Sequence, residues 1–165
     1  MKHFLFLFLF SLDQNDIVSL KMQDVSAIEN FTSHVFLNTG SPHHVQFVKN
    51  LDQMDVDKEG RKLRYGHYGE AGSNINFVEQ NESGEIAIRT YERGVEGETL
   101  SCGTGVTATA ISVYKAKRQQ VLPVVLHTKG GKLSVSFNEC DGIFTDVYLE
   151  GPAEVVFSGE ITVND

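Results

Sequence analysis

Residues 91–118 read YERGVEGETLSCGTGVTATAISVYKAKR, and the character of the chain changes inside this stretch. Residues 86–92 have the look of a strand. After Glu98 the period shifts, and residues 104–117 are rich in Ala, Thr and Val with no polar stripe. Gly103, Thr104 and Gly105 open that segment, and Lys115, Lys117 and Arg118 close it, cations that suit the negative end of a helix dipole. A helix that is small and apolar nearly all round has no face to leave in water. It reads as a helix buried inside a wrap of sheet.

Working outward, the remaining elements read mainly as strands. Residues 16–24 alternate, with Val18, Leu20 and Met22 on one face. Residues 34–38 form another strand, ended by the turn Thr39-Gly40-Ser41-Pro42, and residues 45–49 continue extended. Residues 55–65 are charged, with sparse apolar positions at Val56 and Leu63, and predict a short surface helix followed by a glycine-containing loop over 66–73. Residues 76–79 and 86–92 pair through a turn at 81–84. Strands at 124–128, 132–137 and 144–149 follow, joined by Gly130-Gly131 and Asp141-Gly142, and a short strand over 154–157 ends the series. The fold class is α+β: a mostly antiparallel or mixed curled sheet wrapped around one central helix, plus a short surface helix.

With 165 residues and a 41% hydrophobic fraction, one domain with its own core is expected over residues 16–165. Residues 1–15 stand apart as an apolar leader or junction, because residues 4–10 contain only Phe and Leu. This run is too short to span a bilayer as a helix. It passes into Ser11-Leu12-Asp13-Gln14 without a small-x-small cleavage site, so it reads as an edge segment or a junction with a larger protein rather than a signal peptide. A formal net charge of −8 with no basic run argues against a nucleic-acid surface, and no membrane partner is expected. The two cysteines, Cys102 and Cys140, are too few for a disulfide framework and lack zinc spacing, and none of the six histidines stands in a ligand motif. A reduced, cytoplasmic protein without a structural metal is expected.

Chemistry concentrates at Cys102. It immediately precedes the glycine-flanked start of the helix, where unpaired backbone N–H groups and the positive dipole end should lower a thiol's pKa. The same amides suit a substrate carboxylate. Ten residues upstream, Glu92 ends a strand and comes beside Cys102 once the loop folds back, a carboxylate placed to help move a proton on and off sulfur. The alternative for Cys102 is a small buried residue at a helix start. Cys140, between Glu139 and Asp141 in a turn, reads as inert.

The run E-R-G…E-T-L-x-C-G-T-G resembles the signature of the diaminopimelate epimerases. Two further segments match in order: Gly40-Ser41-Pro42-His43-His44-Val45 is similar to that family's G-N-P-H-x-V turn, and Gly72-Ser73-Asn74-Ile75-Asn76-Phe77-Val78 to its T-N-V-x-F-V segment. With Gly151-Pro152-Ala153, the likeness covers roughly residues 16–161. The resemblance implies a cofactor-free inversion of one α-carbon of diaminopimelate, serving lysine and peptidoglycan-precursor synthesis. Two cysteines would flank that carbon, one as thiolate and one as thiol. By position Cys102 matches the second of the pair and Glu92 its carboxylate partner, while His43 matches the histidine that assists the other cysteine. Arg93 and Asn74 match residues that hold the substrate's carboxylates and polar groups, and Gly103 and Thr104 match the amide cradle. Asn74 as a turn cap, His43 as a loop ligand and Arg93 as a surface charge are the plainer alternatives.

Three features depart from the pattern. The loop E-R-G-V-E-G-E-T is one residue longer than E-R-G-x-G-E-T, which leaves Glu96 and Glu98 as rivals for the carboxylate role. Ser41 stands where the family has a substrate-binding asparagine, a shorter donor without the amide pair. No N-G-x-R-C motif occurs, so the amino-terminal domain that carries the other thiol is expected to be missing or supplied by another chain, and this chain alone to be inactive. A homodimer is compatible with the sequence. A proline racemase-like isomerase and a non-catalytic half-domain stay open as alternatives.

Overall fold

The computed structural model describes residues 10–12, 17–153 and 159. Helix α2, Gly103–Lys115, carries no water-facing stripe, and every residue from Gly105 to Val113 is buried. Lys117 adopts a left-handed φ of 55° and the Arg118 amide reaches back to the Val113 carbonyl, so the helix stops two residues short of the expected 117. The second helix, α1 at Val56–Gly66, behaves as its sequence requires. Asp55 caps it by accepting from the Lys58 amide at 3.0 Å, and Asp57 and Glu59 occupy the first turn.

Eleven strands are described: β1 Phe10–Leu12, β2 Ile17–Lys21, β3 Ile28–Asn30, β4 Val35–Asn38, β5 Pro42–Phe47, β6 Asn74–Gln80, β7 Ile86–Glu92, β8 Gly97–Thr99, β9 Val124–Thr128, β10 Gly131–Cys140 and β11 Ile143–Pro152. They form one sheet ordered β1-β2-β11-β10-β9-β7-β6-β5-β4-β3, with β8 attached to β7. All neighbours are antiparallel except β5–β6 and β7–β9. The sheet curls, because α2 touches β4, β5, β6, β7, β9, β10 and β11 alike. Its core joins Val106, Ala108, Ile111 and Val113 to Leu37, Val45, Val78, Ile88, Leu126, Val135, Phe144 and Val147. A smaller cluster of Leu51, Val56, Ile75, Phe77 and Tyr91 lies beneath α1.

The expected class, the central helix and the surface helix are all present. The sheet holds two short strands that the sequence does not announce, β3 and β8. Strand β8 is the polar run Gly97-Glu98-Thr99, which becomes a strand only because the loop after Glu92 doubles back to pair with β7. Strand β6 begins at Asn74 and β5 at Pro42, earlier than their apolar alternation suggests, because the two pair in parallel from His43↔Asn74 onward. The β10–β11 hairpin turns at Asp141 and Gly142 with φ of 51° and 80°, the paired positive values a tight hairpin demands. The strand expected over 154–157 and most of the leader, residues 1–9 and 13–15, lie outside the described residues. Among those described, no helix is long and apolar enough to cross a membrane.

Because Ile111 is wholly enclosed, Ile111→Ala is expected to cost about 2–5 kcal/mol through lost burial and the cavity it leaves. The measurement is the urea midpoint at constant m. Val121→Ala, at a position 74% exposed, should shift stability by less than about 0.5 kcal/mol.

Candidate active site

Cys102 is the N-cap of α2, with extended dihedrals of −127° and 106°, and its carbonyl accepts the first helical hydrogen bond, from Val106 N at 2.8 Å. The thiol does not cap the helix. Its Sγ lies 3.5 Å from Thr104 Oγ1 and faces an open cavity of about 670 Å³. Glu92 from β7, Thr39 and Gly40 from the β4–β5 turn, Leu20, Lys21, Met22 and Gln23 from and after β2, and Leu149 from β11 complete the walls with Ser101, Gly103 and Thr104. The fold-back of the loop after Glu92 onto β7 thus brings Glu92 and Cys102 to one cavity across ten residues of sequence.

The thiol is only 8% exposed. Burial pushes its pKa up, and the Glu92 carboxylate pushes in the same direction; the Thr104 hydroxyl and the Gly105 and Thr104 amides pull it down. The helix-mouth effect expected from sequence is therefore present but outweighed. Desolvation outweighs those pulls, and the thiol is held above its ordinary pKa, opposite to the lowering expected from the helix mouth. Glu92 accepts from Thr99 Oγ1 at 3.0 Å, a bond that β8 makes available.

The added residue in the loop costs Glu92 nothing. Glu96 takes a left-handed φ of 60°, and its carboxylate is engaged by Arg64 at 3.2 Å, the Tyr91 hydroxyl at 3.1 Å and the Gly94 amide at 3.1 Å. Glu98 is gripped by both arms of Arg89, at 2.6 and 2.8 Å, and by Lys129 at 2.8 Å. Both rivals to Glu92 are thus held in ion pairs, and neither lines the cavity beside Cys102.

The remaining candidates sit behind or beside this cavity. His43 is fully buried; its Nε2 lies 2.9 Å from Thr104 Oγ1 and its Nδ1 lies 3.1 Å from Asn76 Nδ2. Burial, then the charge of Arg93, hold its pKa down to about 3, so the ring is neutral. Asn74 donates to Ser41 Oγ and to the Pro42 carbonyl and accepts from the Arg93 amide at 2.8 Å, tying the β4–β5 turn to the end of β7. The Arg93 guanidinium donates to the Ala71 carbonyl at 2.9 Å. Ser41, Asn74 and Arg93 form a second group, next to the cavity rather than in its wall.

Two residues without a role in the sequence reading matter here. Thr39 donates to the Thr104 carbonyl at 2.7 Å and fastens the turn to the helix mouth. Asn76 is wholly buried against His43 and Thr90. The available signal was the spacing Asn74-x-Asn76, which puts two amides on one face of β6.

The single curled sheet around a buried helix is a fold shared with solved amino-acid racemases and epimerases. Among solved structures, a probable proline racemase from Agrobacterium radiobacter K84 superposes with a TM-score of 0.62 at 14% identity, covering 87% of this chain and 54% of that one. A hydroxyproline epimerase from Agrobacterium vitis gives 0.57 at 17%, covering 83% and 50%. The sequence profile of the family described as diaminopimelate epimerase matches residues 35–156, and the chain belongs to that family. Relatives named diaminopimelate epimerase include one from Flavobacterium psychrophilum, 53% identical over 92% of this chain and 59% of its own length. Another, from Chlorobaculum tepidum, is 43% identical over 78% and 49%. The chain spans about half the length of the relatives it matches.

Iodoacetamide at about pH 8 is expected to alkylate the exposed Cys140 well before the buried Cys102. Glu92→Gln removes a negative charge that opposes thiolate formation, so it should move the Cys102 titration to lower pH. Peptide mass mapping across a pH series checks both. Faster alkylation of Cys102 than of Cys140 would count against burial as the deciding term.

Proposed function

We propose that this chain contributes one thiol, Cys102, to a two-thiol epimerisation of diaminopimelate at an α-carbon. The observation that carries the proposal is the meeting of Cys102 and Glu92 in one cavity at the mouth of α2, within a chain of this family. Inversion at carbon requires a proton to leave one face and another to arrive at the opposite face, so each face needs its own group. A thiol whose protonated form is favoured by burial and by Glu92 suits the delivering role. After delivery the Thr104 hydroxyl and the amides at the helix start stabilise the thiolate, which serves as base in the reverse direction. Gly103 and Thr104 supply the cradle at that helix start. Ser41 and Arg93, beside the cavity, bind the substrate's carboxylates, Asn74 holds the two in place, and His43 supports the proton-transfer chemistry.

The opposing thiol in this reading comes from polypeptide outside these residues. Cys140 is exposed in the turn between β10 and β11. Its neighbours Glu139 and Gly142 line a cavity with Lys115 and Lys117 at the far end of α2, roughly 20 Å from the mouth for a helix of 13 residues. Two unpaired cysteines suit a reducing, cytoplasmic setting.

The purified chain incubated with L,L-diaminopimelate in D2O is expected to yield no meso isomer above the uncatalysed background. Brisk meso formation by the pure chain would sink the half-site reading. Addition of a polypeptide carrying the family's other cysteine should restore turnover, and Cys102→Ser should lower it by about 10²–10⁴-fold, the scale of losing an acid/base group.

A further inference from the structure

The geometry points to Asn76 as a positioning residue that sets the direction of a hydrogen-bond chain ending on the Cys102 sulfur. One end of this chain is a group with no choice. The His44 backbone carbonyl can only accept, and it sits 2.9 Å from Asn76 Nδ2. That end of the Asn76 side chain is therefore the NH2 group. Its other hydrogen points to His43 Nδ1 at 3.1 Å. The Asn76 oxygen takes the Thr90 hydroxyl at 3.0 Å, so the amide is held at both ends.

An NH2 group facing Nδ1 requires that nitrogen to be bare. A neutral imidazole then carries its hydrogen on Nε2, which donates to Thr104 Oγ1 at 2.9 Å. Thr104 Oγ1 is now an acceptor in that bond, and its one hydrogen is left for Cys102 Sγ, 3.5 Å away. From a backbone carbonyl to a sulfur, each step follows from the one before: Asn76 gives to His43, His43 to Thr104, Thr104 to Cys102. The donor that favours the thiolate form of Cys102 is held in that sense by an amide that reaches it through His43.

The packing leaves little freedom for the alternative. His43 and Asn76 are both fully buried, so their partners in the chain are protein groups. A Cβ on Gly105 would strike Asn76 Oδ1, which puts the first turn of α2 in direct contact with the amide and keeps it from swinging. The charged groups facing this line are Glu92 on β7, Lys21 on β2 and Arg93 after β7; none of the three is hydrogen-bonded to a member of the chain.

The assignment rests on Cys102 being the acid/base thiol, but its test needs no turnover, so the two stand or fall separately. In the uniformly 15N-labelled protein at about pH 7, long-range 1H–15N correlation should show His43 as the Nε2–H tautomer with a bare Nδ1. An Nδ1–H tautomer or an imidazolium there would overturn the proposal. Asn76→Asp replaces the NH2 group by an acceptor and should turn His43 to Nδ1–H. The Cys102 alkylation profile is then expected to move up by about one pH unit, a tenfold slower reaction at fixed pH. Thr104→Val should produce a similar upward move while leaving the wild-type tautomer, and Thr104→Ser should restore the wild-type profile. In the Thr104→Val background Asn76→Asp should add no further shift, because the chain is already cut. A full additional shift there would mean that the new carboxylate acts through space, and the relay assignment would fail. If Asn76→Asp does not fold, the wild-type tautomer and the Thr104 pair decide the matter alone.

Discussion

Nine consecutive residues of α2, Gly105 to Val113, are buried, and such a helix has to be approached from every side. A flat sheet covers one face of a helix only, so the strands that bury α2 must curl until β4 on one flank and β11 on the other both reach it. Small side chains make that close approach feasible. Ala108 and Ala110 let strands come near the helix axis, while Ile111 and Val113 fill the wider gaps. At the first turn the approach is tightest: Gly105 lies against Asn76, where even a methyl group would strike the amide oxygen. Burial of the helix and construction of the site are the same event, because the strands that enclose α2 also deliver Glu92, His43 and Thr39 to its amino-terminal end.

That enclosure has an electrical consequence. A helix mouth favours negative charge through its free amides, but only while the charge remains solvated or otherwise compensated. Here the sheet shields the thiol so well that desolvation prevails over the dipole, and Glu92 reinforces it. The result is a poised group: burial and Glu92 hold the proton on, while the Thr104 hydroxyl and two amides wait to stabilise its loss. Under the proposed two-thiol reading, in which the group gives and takes a proton, such opposition serves better than a thiolate stabilised outright. The neutral, buried His43 belongs to the same economy, since a charged ring at that depth would be costly beside Arg93.

The carboxylates of the loop after Glu92 are bound to arginines away from the thiol. Arg64 and Arg89, projecting from α1 and β7, engage Glu96 and Glu98, so the loop with one extra residue is anchored by ion pairs on its outer side. Asn74 ties the turn containing Ser41 and Pro42 to the Arg93 backbone, which fixes the second group of residues relative to the end of β7.

Much of this was legible in the sequence because it depends on local patterns. The unrelieved apolar run of α2 announced a buried helix, the charged run with sparse apolar positions over 55–65 announced α1, and Cys102 before Gly-Thr-Gly placed a thiol at a helix start. What could not be read were quantities set by residues distant in the chain. The polar run Gly97-Glu98-Thr99 is a strand only because β7 is beside it. Asn76 looked like any strand residue until the parallel pairing of β5 and β6 set it against His43. The pKa of Cys102 shifts in the direction opposite to the one its helix mouth alone implies. The amides that lower it are neighbours in sequence, whereas the enclosure and the carboxylate that raise it come from strands far away along the chain. Sequence by itself determined that a cysteine sits at a helix mouth, because spacing and helix polarity are local. Only the tertiary structure decided its protonation, because solvation is a property of everything that surrounds it.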